Sequence, residues 1–253
     1  MKKRRLFIYV LVLLCLLGLA FRRQVHRTMI AGLQILEGKK TVGQRVEEFG
    51  HLVRQRLSKD FESTGISCPP QSIVLIGLKQ EKLLEVWVSQ DQKSYYLLKT
   101  YPILKGSGQL GPKLEQGDRQ IPEGLYGIES LNPNSRFHLS LRINYPNDFD
   151  RQMALRDERS NLGGDIMIHG CQVSIGCLAM GDSAAEDLFV LAALTKPENI
   201  RVLLSPMDFR VRGFEGGLSK MPDWVPQLYR QIETELKKYP TGDLYKIDKV
   251  GTD

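Results

Sequence analysis

The chain has 253 residues, with 35 Lys and Arg against 29 Asp and Glu and a formal net charge of +6. Seven of the basic residues and no acidic one fall within the first 27 positions, so the rest of the chain carries a net charge of −1. That excludes a nucleic-acid binder built on an overall basic surface, while leaving enough length to bury one domain core with additions.

The opening stretch MKKRRLFIYVLVLLCLLGLAFRRQ places four basic residues before an uncharged run from Leu6 to Phe21, followed by Arg22 and Arg23. This is the layout of a secretory signal or a short signal anchor over residues 1–23. Gly18 and Ala20 offer a small-x-small cleavage pattern, and the apolar run is slightly short for a spanning helix. Either outcome exports the remainder, with contact to the membrane only through this segment.

Residues 24–70 read as a helical arm. Ile30, Leu33 and Leu36 precede a break at 38–43, and Val46, Phe49, Leu52, Val53 and Leu57 then follow at helical steps until Cys68-Pro69-Pro70. From Ser72 the texture changes to SIVLIGL, KLLEVWVSQ and KSYYLLKTY, short runs of branched and aromatic residues separated by polar turns. This pattern predicts antiparallel strands. PEGLYGI, RFHLSLRINY and DIMIHG add further strands. Ser183 and Glu186 read as a capping box before the helical run LFVLAAL, which Pro197 closes. IRVLLS returns as a strand, and WVPQLYRQIETELKKY is a terminal helix packed on the outside. The domain expected over 72–206 is therefore mainly β, a sandwich or barrel with flanking α-helices, followed by a C-terminal helical extension over 207–253.

The stretch IMIHGCQVSIGCLAMGD, residues 166–182, holds His169, Cys171 and Cys177. Three chemistries compete there. A closed zinc site needs four ligands, and the fourth would have to be Cys68 or Asp182. A Cys171–Cys177 disulfide is geometrically possible, but it leaves His169 and Gly176 without a role. In the third, His169 takes the proton of a Cys177 nucleophile. Gly176 then lets the backbone approach a substrate, and nearby N–H groups hold an oxyanion.

The third reading gains from a resemblance. IHG-CQVSIGCLAM resembles the catalytic motif of the L,D-transpeptidase (YkuD-type) family, and Pro122, Gly124 and Tyr126 match its upstream Pro-x-Gly-x-Tyr turn. The resemblance covers about residues 72–206 and implies a β-rich domain, with Cys177 as nucleophile, His169 as base and Gly170, Ser174 and Gly176 in supporting or oxyanion positions. The implied substrates are peptidoglycan stem peptides in the periplasm, cleaved at the L-centre carboxyl of meso-diaminopimelate through a thioester. No cofactor or metal is implied. The spacing from His169 to Cys177 is compact, Ile175 stands where the family usually has a histidine, and Ala179 stands where it usually has an arginine. This compact form is similar to a subgroup that releases outer-membrane lipoprotein from peptidoglycan. It favours a hydrolase, with 3→3 cross-linking or lipoprotein attachment as the alternative and a non-catalytic peptidoglycan-binding module as the contrasting class.

Three further residues are candidates for substrate binding. The Arg142 fork suits a carboxylate, and Lys113 and Asp118 lie in the loop before the Pro-x-Gly turn. His26, His51 and His138 have no partner motif and read as surface or satisfied histidines. Trp87 and Trp224 read as packing residues.

Overall fold

The computed structural model describes residues 38–172, 176–214 and 221–241. Thr41–Asp253 forms one compact unit and Met1–Lys40 another, of which only 38–40 are described. The expected export segment and His26 therefore lie outside the described residues, as do Ser174 and Ile175. No described helix is long and apolar enough to cross a membrane.

Helix α1, Val42–Thr64, starts where the chemistry of its first turn dictates. The Thr41 hydroxyl accepts the Gln44 N–H at 3.2 Å, and the Gln44 side chain accepts the Thr41 N–H at 2.8 Å. These two bonds satisfy a pair of otherwise orphaned groups reciprocally. Gly65, in the left-handed region, ends the helix. Val53, Leu57 and Phe61 form its buried stripe.

The strands are β1 (Ser72–Leu78), β2 (Leu83–Ser89), β3 (Tyr96–Pro102), β4 (Gly124–Ser135), β5 (His138–Ile143), β6 (Met167–His169), β7 (Leu178–Ala179) and β8 (Ile200–Ser205). They join in one strongly curled sheet of order β3-β2-β1-β8-β4-β5-β6-β7. The mainly β class with flanking helices is thus the observed one, and SIVLIGL, KLLEVWVSQ and KSYYLLKTY pair antiparallel as expected, β1 with β2 and β2 with β3. β1 pairs with β8 in parallel, and so do β6 and β7. β1 and β8 lie far apart in the chain, with six strands between them, so no hairpin turn forces them antiparallel.

Both faces of the central strands are covered. Along β1, Ile73 and Leu75 enter one core with α1, while Val74, Ile76 and Leu78 enter the other with the C-terminal helix. That helix, α4 (Val225–Leu236), buries Leu228, Tyr229 and Ile232. A strand buried on both sides reads as a continuous apolar run, as SIVLIGL does. Trp87 and Trp224 are buried packing residues in the second core.

Two helices differ from expectation. Helix α2, Asp148–Arg156, was not anticipated, because its sequence DFDRQMALR buries only Asp150 and Ala154 and carries little apolar periodicity. Helix α3, Asp182–Thr195, begins one residue before Ser183, with Gly181 at its cap and no side-chain capping bond. The Ser183–Glu186 capping box is therefore not made. Glu186 faces Arg56 at 2.9 Å and His138 at 3.0 Å instead.

Candidate active site

Strand register places the site. His169 on β6 lies opposite Ser140 on β5 and beside Ala179 on β7, and Met167 lies opposite Arg142. Residues that pair across a sheet share a face, and faces alternate along each strand. Ser140, Arg142, Met167, His169 and Ala179 thus occupy one face, while Leu141, Ile168 and Leu178 turn into the core with α1. Cys177 lies one residue before β7 and two before Ala179, the residue that pairs with His169.

His169 is 1% exposed. The Phe137 ring stacks on it at 4.6 Å between centroids. Its Nδ1 lies 2.6 Å from the Gly170 carbonyl oxygen. A carbonyl only accepts, so Nδ1 carries the hydrogen and Nε2 keeps its lone pair. Burial pushes the imidazole pKa down, against an opposing pull from the Gly170 carbonyl. The resting base is therefore neutral, with its free lone pair on Nε2.

Cys177 is half-buried, and its thiol donates to the Asp165 carbonyl at 3.5 Å. Burial pushes its pKa up; a backbone hydrogen bond involving Met167 opposes this, the Asp165 carboxylate adds to it, and Lys113 opposes it. A neutral thiol has to give up its proton to a base as it attacks.

Gly170 and Gly176 have distinct structural roles. A Cβ on Gly170 would come within 2.7 Å of both the Asp182 carboxylate and the Phe137 carbonyl. Gly176 sits at φ +85°, where side chains are strained, and donates its N–H to the Ser107 hydroxyl at 2.6 Å. That N–H is thus engaged by Ser107 in this structure.

The loop between β3 and β4 forms the neighbouring wall. Leu104 N–H donates to the Ala179 carbonyl at 2.9 Å and Ala179 N–H to the Lys105 carbonyl at 3.0 Å, which pins the loop along β7. Lys113 and Asp118 meet at 2.6 Å, and Asp118 also accepts the N–H groups of Leu114, Glu115 and Gln120. These two expected substrate binders hold the loop's own turn together. Arg142 places Nη1 2.9 Å from Asp165 and Nε 2.7 Å from Glu129, the latter off the angle of a hydrogen bond. It remains at the rim, partly exposed, near the thiol's acceptor.

In the Pro122-x-Gly124-x-Tyr126 turn, Gly124 adopts φ +147° and Tyr126 is buried, donating to the Glu123 carbonyl at 3.2 Å. Glu123 itself is 1% exposed and bonded to Lys79, Gly111 N–H and Tyr229. A cavity of about 250 Å³ adjoins this loop and shares Ser107 with the site. Cys68 is an exposed free thiol, and His51 is exposed. Among the described residues no group of three or more His, Cys, Asp or Glu is gathered as a metal ion would require.

Sequence reasoning missed Asp165, Phe137 and Ser107. None carries a spacing signal, because each reaches the site through the fold. Asp182 had appeared only as a conceivable zinc ligand, and it accepts the Cys171 N–H at 2.7 Å.

No protein-family model matches the chain. It is 36% identical over 135 residues to the Escherichia coli protein "Putative L,D-transpeptidase YafK", covering 53% of this chain and 51% of that one. The chain thus spans about half the length of this curated relative. Among solved structures it is similar to the helical cell shape determining protein Pgp2 of Campylobacter jejuni, with TM-score 0.44, 21% identity and coverage of 54% and 48%. It is also similar to Bdellovibrio bacteriovorus Bd1075, with TM-score 0.40, 19% identity and coverage of 66% and 54%. The sequence likeness to YafK supports an L,D-transpeptidase-type domain in this chain, the family that its His169 and Cys177 motif resembles.

Proposed function

We propose that this chain is an exported cysteine enzyme that cleaves peptidoglycan stem peptides at the L-centre carboxyl of meso-diaminopimelate, with water as the final acceptor. The observation that carries the reading is the tautomer of His169. With Nδ1–H committed to the Gly170 carbonyl, Nε2 keeps the lone pair a base needs, and Cys177 stands two residues before Ala179, which pairs with His169.

In the first half-reaction the Cys177 thiol leaves the Asp165 carbonyl and gives its proton to His169 Nε2 as sulfur attacks the substrate carbonyl. The tetrahedral intermediate collapses, the carbon–nitrogen bond breaks, and the imidazolium returns the proton to the departing amine. A thioester remains. In the second half-reaction water attacks the thioester, His169 takes a water proton, and collapse releases a carboxylic acid and the thiol. By the family resemblance Gly170, Ser174 and Gly176 are the supporting positions, and Arg142 receives a substrate carboxylate.

Water is favoured as acceptor because the segment between His169 and Cys177 is short and Ala179 offers no charged side chain for a second strand. Incubating the purified protein with sacculi bearing bound lipoprotein and with tetrapeptide muropeptides tests this. Released lipoprotein or shortened stems without new dimers are expected, and Cys177→Ala should abolish them while keeping the parent's circular dichroism. New diaminopimelate-linked dimers would replace water by an amine acceptor. A Cys177→Ala protein as active as the parent would overturn the cysteine mechanism.

A further inference from the structure

The turn after His169 has all four of its backbone polar groups engaged. Gly170 N–H donates to the Leu139 carbonyl at 3.1 Å, and Gly181 N–H donates to the Cys171 carbonyl at 3.0 Å. The remaining two belong to a single peptide unit, the one joining Gly170 to Cys171. Its carbonyl oxygen accepts His169 Nδ1–H at 2.6 Å, and its N–H donates to Asp182 Oδ1 at 2.7 Å.

A carboxylate, a peptide and an imidazole are therefore arranged in series. We infer that Asp182 is a positioning residue that orients His169 and strengthens its Nδ1 acceptor through the Gly170–Cys171 peptide. The inference rests on the reading of His169 as the base for Cys177. A carboxylate accepting the peptide N–H draws electron density toward the carbonyl oxygen, and hydrogen bonds in such chains polarise one another. The carbonyl then better stabilises the imidazolium formed when Nε2 takes the thiol proton. In serine hydrolases the carboxylate bonds the imidazole directly; here a peptide stands between them.

Two further features fit this arrangement. Gly170 has no room for a side chain, since a Cβ would meet Asp182 Oδ1 at 2.7 Å, so the glycine after the histidine is what lets the carboxylate reach the peptide. Asp182 opens α3 without capping it, and so its carboxylate is available to the turn. The other charged groups around the site have partners of their own. Glu186, one turn further along α3, faces Arg56 and His138, Arg142 on β5 faces Glu129 and Asp165, and Lys113 holds Asp118. Asp182 is solvent-exposed, so water screens the effect and its size is modest.

Asp182→Asn separates relay from scaffold, because its amide oxygen still accepts the Cys171 N–H but carries no charge. On the full chain we expect kcat to fall about three- to tenfold at unchanged KM, and the acid limb of kcat/KM to move about half a pH unit lower. ¹⁵N NMR titration of His169 should show its pKa falling by a similar amount with Nδ1–H retained, while Asp182→Ala should also lose the fixed tautomer. An Asp182→Asn protein whose His169 titrates as in the parent would overturn the inference. That titration needs no turnover, so it decides even if Cys177→Ala disproves the cysteine mechanism.

Discussion

Asp165 meets Cys177 and Arg142 at once: its carbonyl accepts the thiol at 3.5 Å and its carboxylate faces the guanidinium at 2.9 Å. One loop residue thus holds both the Cys177 thiol and the Arg142 guanidinium. Burial, the main cause, with a further contribution from the Asp165 carboxylate, keeps the thiol above the ordinary range of about 8.5. Iodoacetamide labelling of Cys177 against pH should therefore reach half-maximal rate above that value in the parent. Asp165→Asn should move the midpoint lower. An unshifted midpoint would remove the carboxylate from the account.

The pH profile follows from His169. Burial lowers its folded pKa, so it stays a neutral base to lower pH than a solvated histidine. The acid limb of kcat/KM should fall below the usual value of about 6.5. Stability carries the same sign. Between the lowered folded value and the unfolded value the unfolded chain binds more protons, so His169 contributes stability that is full above about 6.5 and lost as pH falls through the window. Replacing His169 with Gln should flatten that part of the urea-stability curve.

Glu123 sits inside the turn that resembles a catalytic-family signature, yet its three partners make it a structural node. It receives Lys79 at 2.8 Å, Gly111 N–H at 2.8 Å and Tyr229 from α4 at 2.8 Å. Truncation would strand a buried ammonium, so Glu123→Ala should cost about 3–5 kcal/mol in urea unfolding. A loss under about 1 kcal/mol would mean that Lys79 finds water or another acceptor.

Ser107 reaches Gly176 across the wall of the site, accepting its N–H at 2.6 Å and donating to the Arg119 carbonyl at 2.8 Å. Ser107→Ala removes an acceptor from the residue before the nucleophile. We expect about 1 kcal/mol lower stability and a larger proportional loss in kcat than in overall fold. Equal kcat in parent and variant would show that the turn at Gly176 holds without this bond.

Much of the sheet was legible because each strand buries an apolar face: SIVLIGL, KLLEVWVSQ and IRVLLS all appear as strands at the expected places. The parallel partners were not legible, since nothing local distinguishes β1 beside β8 from β1 beside a hairpin neighbour. Helix α2 was missed because it lies at the surface with little apolar stripe. At the site, His169 and Cys177 could be named from spacing and resemblance. Arg142 faces Glu129 and Asp165, and Lys113 and Asp118 face each other. Asp165, Ser107 and Asp182, which contact Cys177, Gly176 and Cys171, come from separate loops and a helix start, and only the fold brings them near.

The parallel pairing of β1 with β8 also sets an order on assembly. Ile73 lies beside Ile200, and Leu78 beside Ser205. His169 on β6 and Cys177 just before β7 belong to the stretch of chain enclosed between those partners. Closing so long a loop is slow, and pairings of distant segments set folding speed. A nascent chain ending before Ile200 would hold Cys177 and His169 in sequence but lack the strand that joins β1 to β4 in the sheet. Reactivity at Cys177 should therefore emerge late, after the last strand has docked, and a reactive thiol would report that the whole sheet has closed.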